Sequence, residues 1–352
     1  MKHLVLFLTA LSLFSCGEEL SREDLLPDAS GEHGKILLLV DDGIWESDFQ
    51  EKIKTQLAKN IEGVLLRPEP QFDYFRKDPE DLNHVNKLSR IILKVFIDRD
   101  SSYAETAFLV KKNYFARGQI FLVLKDSDFT RLCHFVDNNF DEVADAINEF
   151  ELKELKRFYS SSPNAAANEQ AELNFGININ IPKNSNISEI EEDFMLVKYD
   201  QSQQFQGDES MGTTAETYWV QEGIVFWENE LSHDSLFNPY HIMALKDSVW
   251  MHKLPGKSEG SYMTTEYDPD YSPEVNTTKI AGEDAFVIRG LWKFDGHPGA
   301  FGGGPFIQYS FVHPNTQKLL SVAGYIYAPR FDKREYMRQL EAMLQSIKIA
   351  QD

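Results

Sequence analysis

The spacing of apolar residues predicts an α/β layer domain over residues 35–159. Its first strand is the continuous apolar run at 35–40, which is typical of a strand buried on both faces of a sheet. Further strands are expected at 71–76, 90–97 and 119–125. Apolar residues three or four positions apart predict helices at 46–59, 102–116 and 127–159. Strands that alternate with helices favour an α/β layer arrangement in this half of the chain.

The pattern changes after residue 159. Residues 160–172 carry no core pattern and are predicted to be a linker, and residues 173–352 are predicted to form a mostly antiparallel α+β domain. Its strands are expected at 174–181, 193–199, 215–220, 223–229, 261–267, 284–294, 306–312 and 318–327. One helix is expected from its N-cap, Asn238, to Pro255, and a C-terminal helix at 332–348. The chain as a whole is therefore predicted to belong to the α+β class.

The first 16 residues have the pattern of a secreted lipoprotein. Lys2 precedes an apolar stretch at 4–14, and this arrangement predicts a signal peptide over residues 1–15. The stretch is shorter than the roughly 20 residues that cross a bilayer. The sequence LFSC at 13–16 resembles a bacterial lipobox, which implies that the thiol of Cys16 is acylated and that residues 16–34 form a flexible tether. The alternative is a plain signal peptide in which this cysteine is incidental.

The composition restricts the class of partner. The formal net charge of −21 argues against nucleic-acid binding, because phosphate contacts require clustered lysine and arginine. It also argues against binding of anionic headgroups by the protein surface, so the lipid on Cys16 is expected to supply the membrane affinity. The other cysteine, Cys133, lies on the apolar stripe of the helix at 127–159. We predict that it is a buried core residue, with a nucleophile beside His134 as the alternative.

Two neighbouring carboxylates are the main candidates for catalytic chemistry. Asp41 and Asp42 follow the first strand, at the edge where α/β sheets place their ligands, and paired carboxylates suit a magnesium ion. The alternative is that they satisfy the turn and cap the next helix. The histidines show no zinc spacing, and the sequence has neither a phosphate loop nor a nucleophile elbow. We therefore expect no catalytic residue, no bound metal and no cofactor.

The glycine-rich segment at 299–305 is the candidate for a ligand contact, although a wide hairpin turn would also explain it. Glycines let a ligand approach the backbone closely, and nearby aromatic rings can stack on a sugar or a peptide. The predicted ligand-binding residues are Arg289, Trp292, Gly302, Gly303 and Gly304.

A basic cluster opens the predicted last helix. It consists of Arg330, Lys333 and Arg334, at the end of the helix where positive charge opposes the helix dipole. We expect these side chains to pair with acidic neighbours. The alternative is that they bind an anionic ligand.

Several segments together carry a family resemblance. They are PGKSEGSYMTTE at 255–266, RGLW at 289–292, GGPF at 303–306 and GYIYAPRFDKREYMRQLE at 324–341, with DGIW at 42–45 and LRPEPQF at 66–72 in the first half. With these motifs the chain resembles the Bacteroidetes lipoprotein family catalogued as domain of unknown function 4837. The resemblance implies a lipoprotein of the envelope and extends over nearly the whole mature chain, but it implies no activity.

The expected function is that of a cell-envelope lipoprotein, anchored to the outer membrane on its periplasmic or surface-exposed face. We predict a non-enzymatic module that binds an envelope protein, a peptide or a glycan, or that assists an assembly. The alternatives are a metal-dependent hydrolase with its site near Asp41 and Asp42, and a purely structural envelope component.

Overall fold

The apolar runs of the first half form a five-stranded sheet. The computed structural model describes residues 23–61, 63, 65–205 and 215–350, so Cys16 and the predicted signal peptide lie outside the described residues. The strands are β1 (Lys35–Leu39), β2 (Asp73–Lys77), β3 (Ile91–Ile97), β4 (Ala107–Lys112) and β5 (Ile120–Asp126). They lie in the order β2-β1-β3-β5-β4, in which β4 is an antiparallel edge strand and the other strands are parallel.

Helices cover one face of this sheet. They are α1 (Asp42–Trp45), α2 (Phe49–Leu57) and α3 (Phe129–Ser161). Phe49, Ile53 and Leu57 of α2 are buried, as their spacing predicts. The carboxylate of Asp128 accepts a hydrogen bond from the amide of Arg131 and thereby caps α3.

The helix predicted at 102–116 is wrong, because this part of the chain contains β4. Asn113 (φ 52°) and Gly118 (φ 71°) adopt the left-handed conformation, which cannot continue a helix. The side chain of Asn113 also accepts a hydrogen bond from the amide of Gly118 at 2.9 Å. The turn that results folds β4 back onto β5, where Phe108 packs on the core below α3.

The long helix α3 connects the first core with the second. Leu132 and Ile147 pack on the five-stranded sheet, whereas Leu155 and Tyr159 belong to the core of the second half. At about 1.5 Å per residue, its 33 residues extend about 50 Å. Within the described ranges, no helix has both the length and the apolar content that crossing a bilayer requires.

The linker predicted at 160–172 is helical instead. Helix α4 (Ala165–Phe175) begins at Asn164, whose side chain accepts a hydrogen bond from the amide of Ala167. Its buried residues are Ala167, Ala171 and Phe175. Two of these are alanines, so the buried stripe carries little of the large-residue signal on which periodicity depends.

An antiparallel eight-stranded sheet dominates the second half, which has the α+β character that the sequence predicts. Its strands are β7 (Asn186–Ile190), β8 (Phe194–Phe205), β9 (Glu216–Asn229), β10 (Tyr262–Thr265), β11 (Glu274–Ile280), β12 (Glu283–Asp295), β13 (Gly303–Val312) and β14 (Leu319–Tyr327). The order is β10-β12-β13-β14-β9-β8-β7, and β11 also pairs with β12. A separate pair joins β6 (Ile177–Asn178) to β15 (Lys348–Ile349).

Both faces of this sheet are buried. One face packs against α5 (Pro239–Lys253), which begins at the predicted N-cap Asn238. The other face packs against α4, the last turns of α3 and α6 (Arg334–Leu344), the predicted C-terminal helix. Short 3₁₀ helices lie at Glu23–Leu25, Pro79–Asp81, Asn86–Leu88, Asp234–Leu236 and Pro269–Tyr271.

Several strand predictions differ from the structure. The strands expected at 215–220 and 223–229 are one continuous strand, β9, because Gly223 lies inside it and makes room for the ring of Tyr325. The strand expected at 174–181 is reduced to β6, since α4 extends to Phe175. The strands β7 and β11 were not predicted, because apolar residues do not alternate with polar ones along them: Ile187 and Ile190 of β7 are three positions apart, and Val275 and Ile280 of β11 are five apart.

The tether predicted at 16–34 is docked on the body of the protein over its last residues. Ala29 donates its amide to the carbonyl of Arg117 at 2.8 Å, and Ser30 donates to the carbonyl of Leu88 at 2.7 Å. Backbone hydrogen bonds to neighbouring segments therefore order residues that composition alone assigned to a flexible segment.

Candidate functional site

A cleft separates the five-stranded sheet from the α6 side of the antiparallel sheet. It consists of two adjoining cavities of about 300 Å³ and 690 Å³, which share Ile61, Gly63, Arg289 and Glu341 in their walls. Gly63 (φ 101°) lies against the side chain of Arg289, and a Cβ at this position would lie 3.1 Å from Arg289 Cδ. The loop between α2 and β2 thus forms one wall, and β11, β12, β13 and α6 form the other.

A cluster of polar side chains centres on Glu341 in this cleft. Arg289 donates from Nη2 to Glu341 Oε1 at 2.7 Å, and Gln345 donates from Nε2 to the same oxygen at 3.0 Å. The hydroxyl of Tyr309 completes the cluster with a bond of 3.3 Å to Glu341. Burial raises the pKa of Tyr309 far above its ordinary value, so the phenol stays protonated and remains a donor.

Arg289 retains donors for a ligand. A guanidinium has five N–H donors, and among the described residues Glu341 is the only hydrogen-bond acceptor of this side chain. Because the Arg289 side chain is mostly buried, the ion pair is screened less than a surface pair would be. The arrangement therefore presents a fixed cationic donor to whatever enters the cleft.

The strand β11 forms a polar edge of the cleft. Glu274 and Asn276 lie opposite Arg289 and Val287 of β12, so their side chains share the face that looks toward α6. In the described part of the chain, β12 is the only strand that pairs with β11. The outer edge of β11 therefore has backbone N–H and C=O groups that a further strand can bind.

The opposite wall holds a buried carboxylate. Glu151 of α3 is 1% exposed, and its Oε2 accepts hydrogen bonds from His33 Nδ1 at 2.6 Å and from the amide of Gly34 at 3.1 Å. Its Oε1 has no hydrogen-bond partner in the described structure. Arg338 of α6 lies beside this wall, above the ring of Phe72, and donates to the carbonyl of Gln71 at 2.7 Å.

The basic cluster at the start of α6 pairs with acidic neighbours only in part: the side chain of Arg334 does so, the Lys333 side chain donates to the carbonyl of Phe331, and the Arg330 guanidinium lies over the ring of Tyr218. Glu69, from the loop between α2 and β2, accepts hydrogen bonds from the amides of Lys333 at 2.9 Å and Arg334 at 2.8 Å. The side chain of Arg334 pairs with Asp73 at 2.7 Å and with Glu335 at 2.8 Å. A carboxylate from the first half therefore caps a helix of the second half, where it offsets the positive end of the helix dipole.

The family match covers the half of the chain that supplies β11, β12, β13 and α6. Residues 164–346 match the family described as Domain of unknown function (DUF4837). The chain belongs to this family. Residues 29–160 match a second description, Domain of unknown function (DUF8532), so the first-half segments at 42–45 and 66–72 fall under that second match rather than under DUF4837.

Two solved structures show remote likeness to the chain, and no curated protein matches its sequence. The Ran-binding protein Mog1p of Saccharomyces cerevisiae is 10% identical with a TM-score of 0.28, over 49% of this chain and 90% of that chain. LpqN, involved in cell envelope biogenesis of Mycobacterium tuberculosis, is 11% identical with a TM-score of 0.26, over 50% of this chain and 83% of that chain. Likeness at this level carries no conclusion about activity.

Segments that carry the DUF4837 resemblance meet at the cleft, but they do not assemble the predicted ligand site. Arg289 and Trp292 are three positions apart on β12, so their side chains project from opposite faces of the sheet. Arg289 faces the cleft, whereas Trp292 is buried against the core under α5 and donates from Nε1 to the carbonyl of Ile326 at 3.2 Å. The structure therefore does not bring Arg289 and Trp292 together in one place.

The predicted glycines allow neighbouring strands of the antiparallel eight-stranded sheet to pack closely. Gly302 (φ 140°) ends the turn between β12 and β13, and its carbonyl accepts a hydrogen bond from Phe294. A Cβ on Gly303 would lie 2.7 Å from the carbonyl oxygen of Trp292, and one on Gly304 would lie 2.0 Å from that of Ile326. Close approach of neighbouring backbones thus accounts for Gly303 and Gly304, and the hairpin interpretation is confirmed.

The two carboxylates proposed for a metal are both engaged by protein groups. Asp41 accepts a hydrogen bond from the amide of Ile44 at 3.0 Å and caps α1, and Asp42 pairs with Arg76 at 2.5 Å. Over the residues that the structure covers, no group of three or more His, Cys, Asp or Glu side chains is placed to hold a metal ion. The helix-capping alternative is therefore confirmed for Asp41.

Cys133 lies in the core, as predicted. It is 6% exposed in the cluster between α3 and the five-stranded sheet. Burial raises the pKa of its thiol to about 11, with Asp48 as the next contributor, so the reactive thiolate is scarce at neutral pH. The nearby Lys52 opposes this rise in pKa, but burial and the carboxylates of Asp48 and Asp137 outweigh it, which argues against the nucleophile alternative.

Glu69, Glu151 and Glu341 were not predicted from the sequence. Each is a buried or half-buried acid whose partner lies far away along the chain, such as Glu69 with Lys333. The resemblance segments offered the available signal, since Glu69 stands inside LRPEPQF at 66–72 and Glu341 is the last residue of GYIYAPRFDKREYMRQLE at 324–341.

Proposed function

We propose that this protein is a lipid-anchored envelope protein that binds an extended polypeptide in the cleft between its two sheets. The observation that carries the proposal is the outer edge of β11, which is exposed beside Arg289 and Glu341. A peptide in extended conformation binds such an edge through backbone hydrogen bonds, and the cleft wall then contacts the side chains of the peptide. The activity is binding, without catalysis.

The chemistry of the cleft favours a polypeptide over a glycan. The wall along β11 is polar, with Glu274 and Asn276 facing Arg289, and the strand lies at the rim where a further strand can be added. The free donors of Arg289 suit a backbone carbonyl or a carboxylate of such a peptide. Trp292, the ring that would stack on a sugar, is buried on the other side of the sheet.

The anchor is the second part of the proposal. Its support is the signal-peptide pattern and the LFSC sequence at 13–16. Acylation of Cys16 would hold the body at the outer membrane, because buried acyl chains supply the affinity that an acidic surface lacks. The docked segment begins at Pro27, whose carbonyl accepts a hydrogen bond from the amide of Arg117, and this leaves ten residues (17–26) between Cys16 and the docked segment.

Replacing Cys16 with serine is expected to move the protein out of the membrane fraction. Serine has no thiol for acylation, so cleavage at the lipobox and attachment of the lipid both fail. The measurement is fractionation of envelopes in 1 M salt, followed by metabolic labelling with a fatty acid. Cys133→Ser is the matched control and should remain labelled and membrane-bound. A labelled, membrane-bound Cys16→Ser protein would refute the anchor.

A photo-crosslinking residue placed at Thr277 of β11 is expected to give a discrete adduct in intact envelopes. Thr277 is exposed on the edge strand that borders the cleft. The matched control is Ser188, which is exposed on β7 at the opposite edge of the same sheet. Arg289→Gln should weaken the adduct at Thr277, since it removes the donor beside the edge.

The nature of the adduct decides between the candidate partners. An adduct that a protease shortens supports the polypeptide, and one that only glycosidases shorten contradicts it. Equal labelling at Thr277 and Ser188, or none at either position, would favour a purely structural role for the protein in the envelope.

A further inference from the structure

A separate cavity of about 450 Å³ lies where the docked segment meets the last turns of α3. Asp28 and His33 belong to the docked segment, and Glu154 and Phe158 belong to α3. The residues just before β3 and β5 and Gln339 of α6 form the remaining wall. Leu155 lines both this cavity and the cleft, but none of the polar side chains around Arg289 in the cleft borders this cavity, so its polar groups form a different site.

Three arginines line this cavity in a chain whose net charge is −21. Two of them have carboxylate partners: Arg117 pairs with Asp28 at 3.0 Å, and Arg157 pairs with Glu154 through two guanidinium nitrogens. Both pairs lie at the rim, where the side chains of Arg117 and Arg157 are 44% and 68% exposed. Such exposed pairs exchange readily with solvent and with competing anions.

Arg90, the third arginine, has no acceptor among the described residues. Its Nε is buried without a hydrogen-bond partner, although a guanidinium is always protonated and presents five donors. The backbone holds the residue in place, since the Arg90 amide donates to Ser30 at 3.0 Å and its carbonyl accepts from Ile120 at 2.9 Å. The Arg90 side chain is half-buried and lines the cavity, so an anion there would give its guanidinium the acceptor that the described residues do not supply.

We propose that this cavity binds the phosphate group of an organic phosphate. Arg90 would donate from its unpartnered nitrogens, and Arg117 at the rim would turn from Asp28 toward the same group. Arginine suits phosphate because its planar fork matches two phosphate oxygens at once. Leu155 and the exposed ring of Phe158 offer an apolar wall for the organic part of the ligand.

The position of the cavity suggests one source of the phosphate. Eleven residues lie between Cys16 and Asp28 of the cavity wall, and the twelve chain steps from one to the other span at most roughly 40 Å. If Cys16 is acylated as proposed above, the cavity therefore stays within reach of lipid headgroups. A soluble phosphate ester would offer the same phosphate group. Its binding would not depend on acylation of Cys16.

The test is calorimetric titration of the mature full chain in non-ionic detergent micelles. The probes are inorganic phosphate, glycerol 3-phosphate and micelles that contain phosphatidylglycerol. Saturable binding of at least one probe is expected, with affinity reduced at least about tenfold by Arg90→Gln, because hydrogen bonds to charged groups are strong. Binding of glycerol 3-phosphate identifies a soluble ester, and binding of phosphatidylglycerol alone identifies a headgroup.

Arg99→Gln is the matched control. Arg99 is an exposed arginine outside the cavity, so the variant has the same net charge as Arg90→Gln and should bind like the wild type. The thermal midpoint of Arg90→Gln should not fall, since the change removes an unsatisfied donor. If that variant fails to fold, Arg117→Gln at the exposed rim replaces it and should weaken binding severalfold. No saturable binding of any probe, or equal affinity in the variant and the wild type, would overturn the proposal.

Discussion

Replacing Trp292 with alanine is expected to lower the free energy of unfolding by about 3–5 kcal/mol. The ring is 2% exposed and packs edge-on against Phe294 and Tyr325 in the core under α5. The substitution leaves a cavity among these rings and removes the donor to the carbonyl of Ile326, which becomes a buried unsatisfied acceptor. Equilibrium denaturation by urea, followed by circular dichroism, measures the loss.

Trp219 provides the control for this prediction. It is a tryptophan on the same antiparallel sheet, but its side chain is 68% exposed. Trp219→Ala should therefore change the free energy of unfolding by less than about 1 kcal/mol. If the two variants lost the same stability, Trp292 would not be the core residue that the packing indicates, and a ligand contact at this residue would regain support.

The stability of the protein is expected to fall as the pH rises from about 4.5 to about 8, through the ionisation of Glu222. This residue of β9 is 2% exposed, and burial raises the pKa of its carboxyl to about 8. Gln201 donates to Oε1 at 3.1 Å and opposes the shift, whereas Oε2 has no partner in the described structure.

The direction of this effect follows from proton binding. Between the two pKa values the folded protein keeps the proton that the unfolded chain has lost, so the folded state binds more protons and stability falls with pH. Each unit of difference between the folded and unfolded pKa of Glu222 corresponds to about 1.4 kcal/mol. The free energy of unfolding is therefore expected to fall by up to roughly 5 kcal/mol across this pH range. Below about pH 4.5 the contribution is fully present, and above about pH 8 it is lost.

Glu222→Gln is the variant that isolates this group. The amide has the shape of the neutral acid and cannot ionise, so most of the decline between pH 5 and pH 9 should disappear from urea denaturation curves. Glu80→Gln, an exposed acid of the first half, should retain the wild-type pH profile. A Glu222→Gln profile as steep as that of the wild type would assign the decline to other groups.

The sequence was sufficient to predict a helix or strand wherever the residues of that element alone carry its pattern. The apolar run of β1, the stripe of α2 and the Asn238 cap of α5 each express a local rule, and the structure has all three. The α+β class and the burial of Cys133 follow from the same patterns. The motifs at 289–292, 303–306 and 324–341 were also sufficient to indicate the family, whose match spans residues 164–346.

Only the tertiary structure decided what depends on partners far apart in the chain. The chain at 165–175 became a helix because small residues find room against a core that other elements build, and the chain at 107–112 became a strand because β5 lies beside it. The separation of Trp292 from Arg289 required the pleat of β12, and the cap of α6 required Glu69 from the other half. Periodicity reports which face of an element is apolar, whereas a cleft, an interdomain cap or an unpartnered arginine arises only when those faces have been brought together.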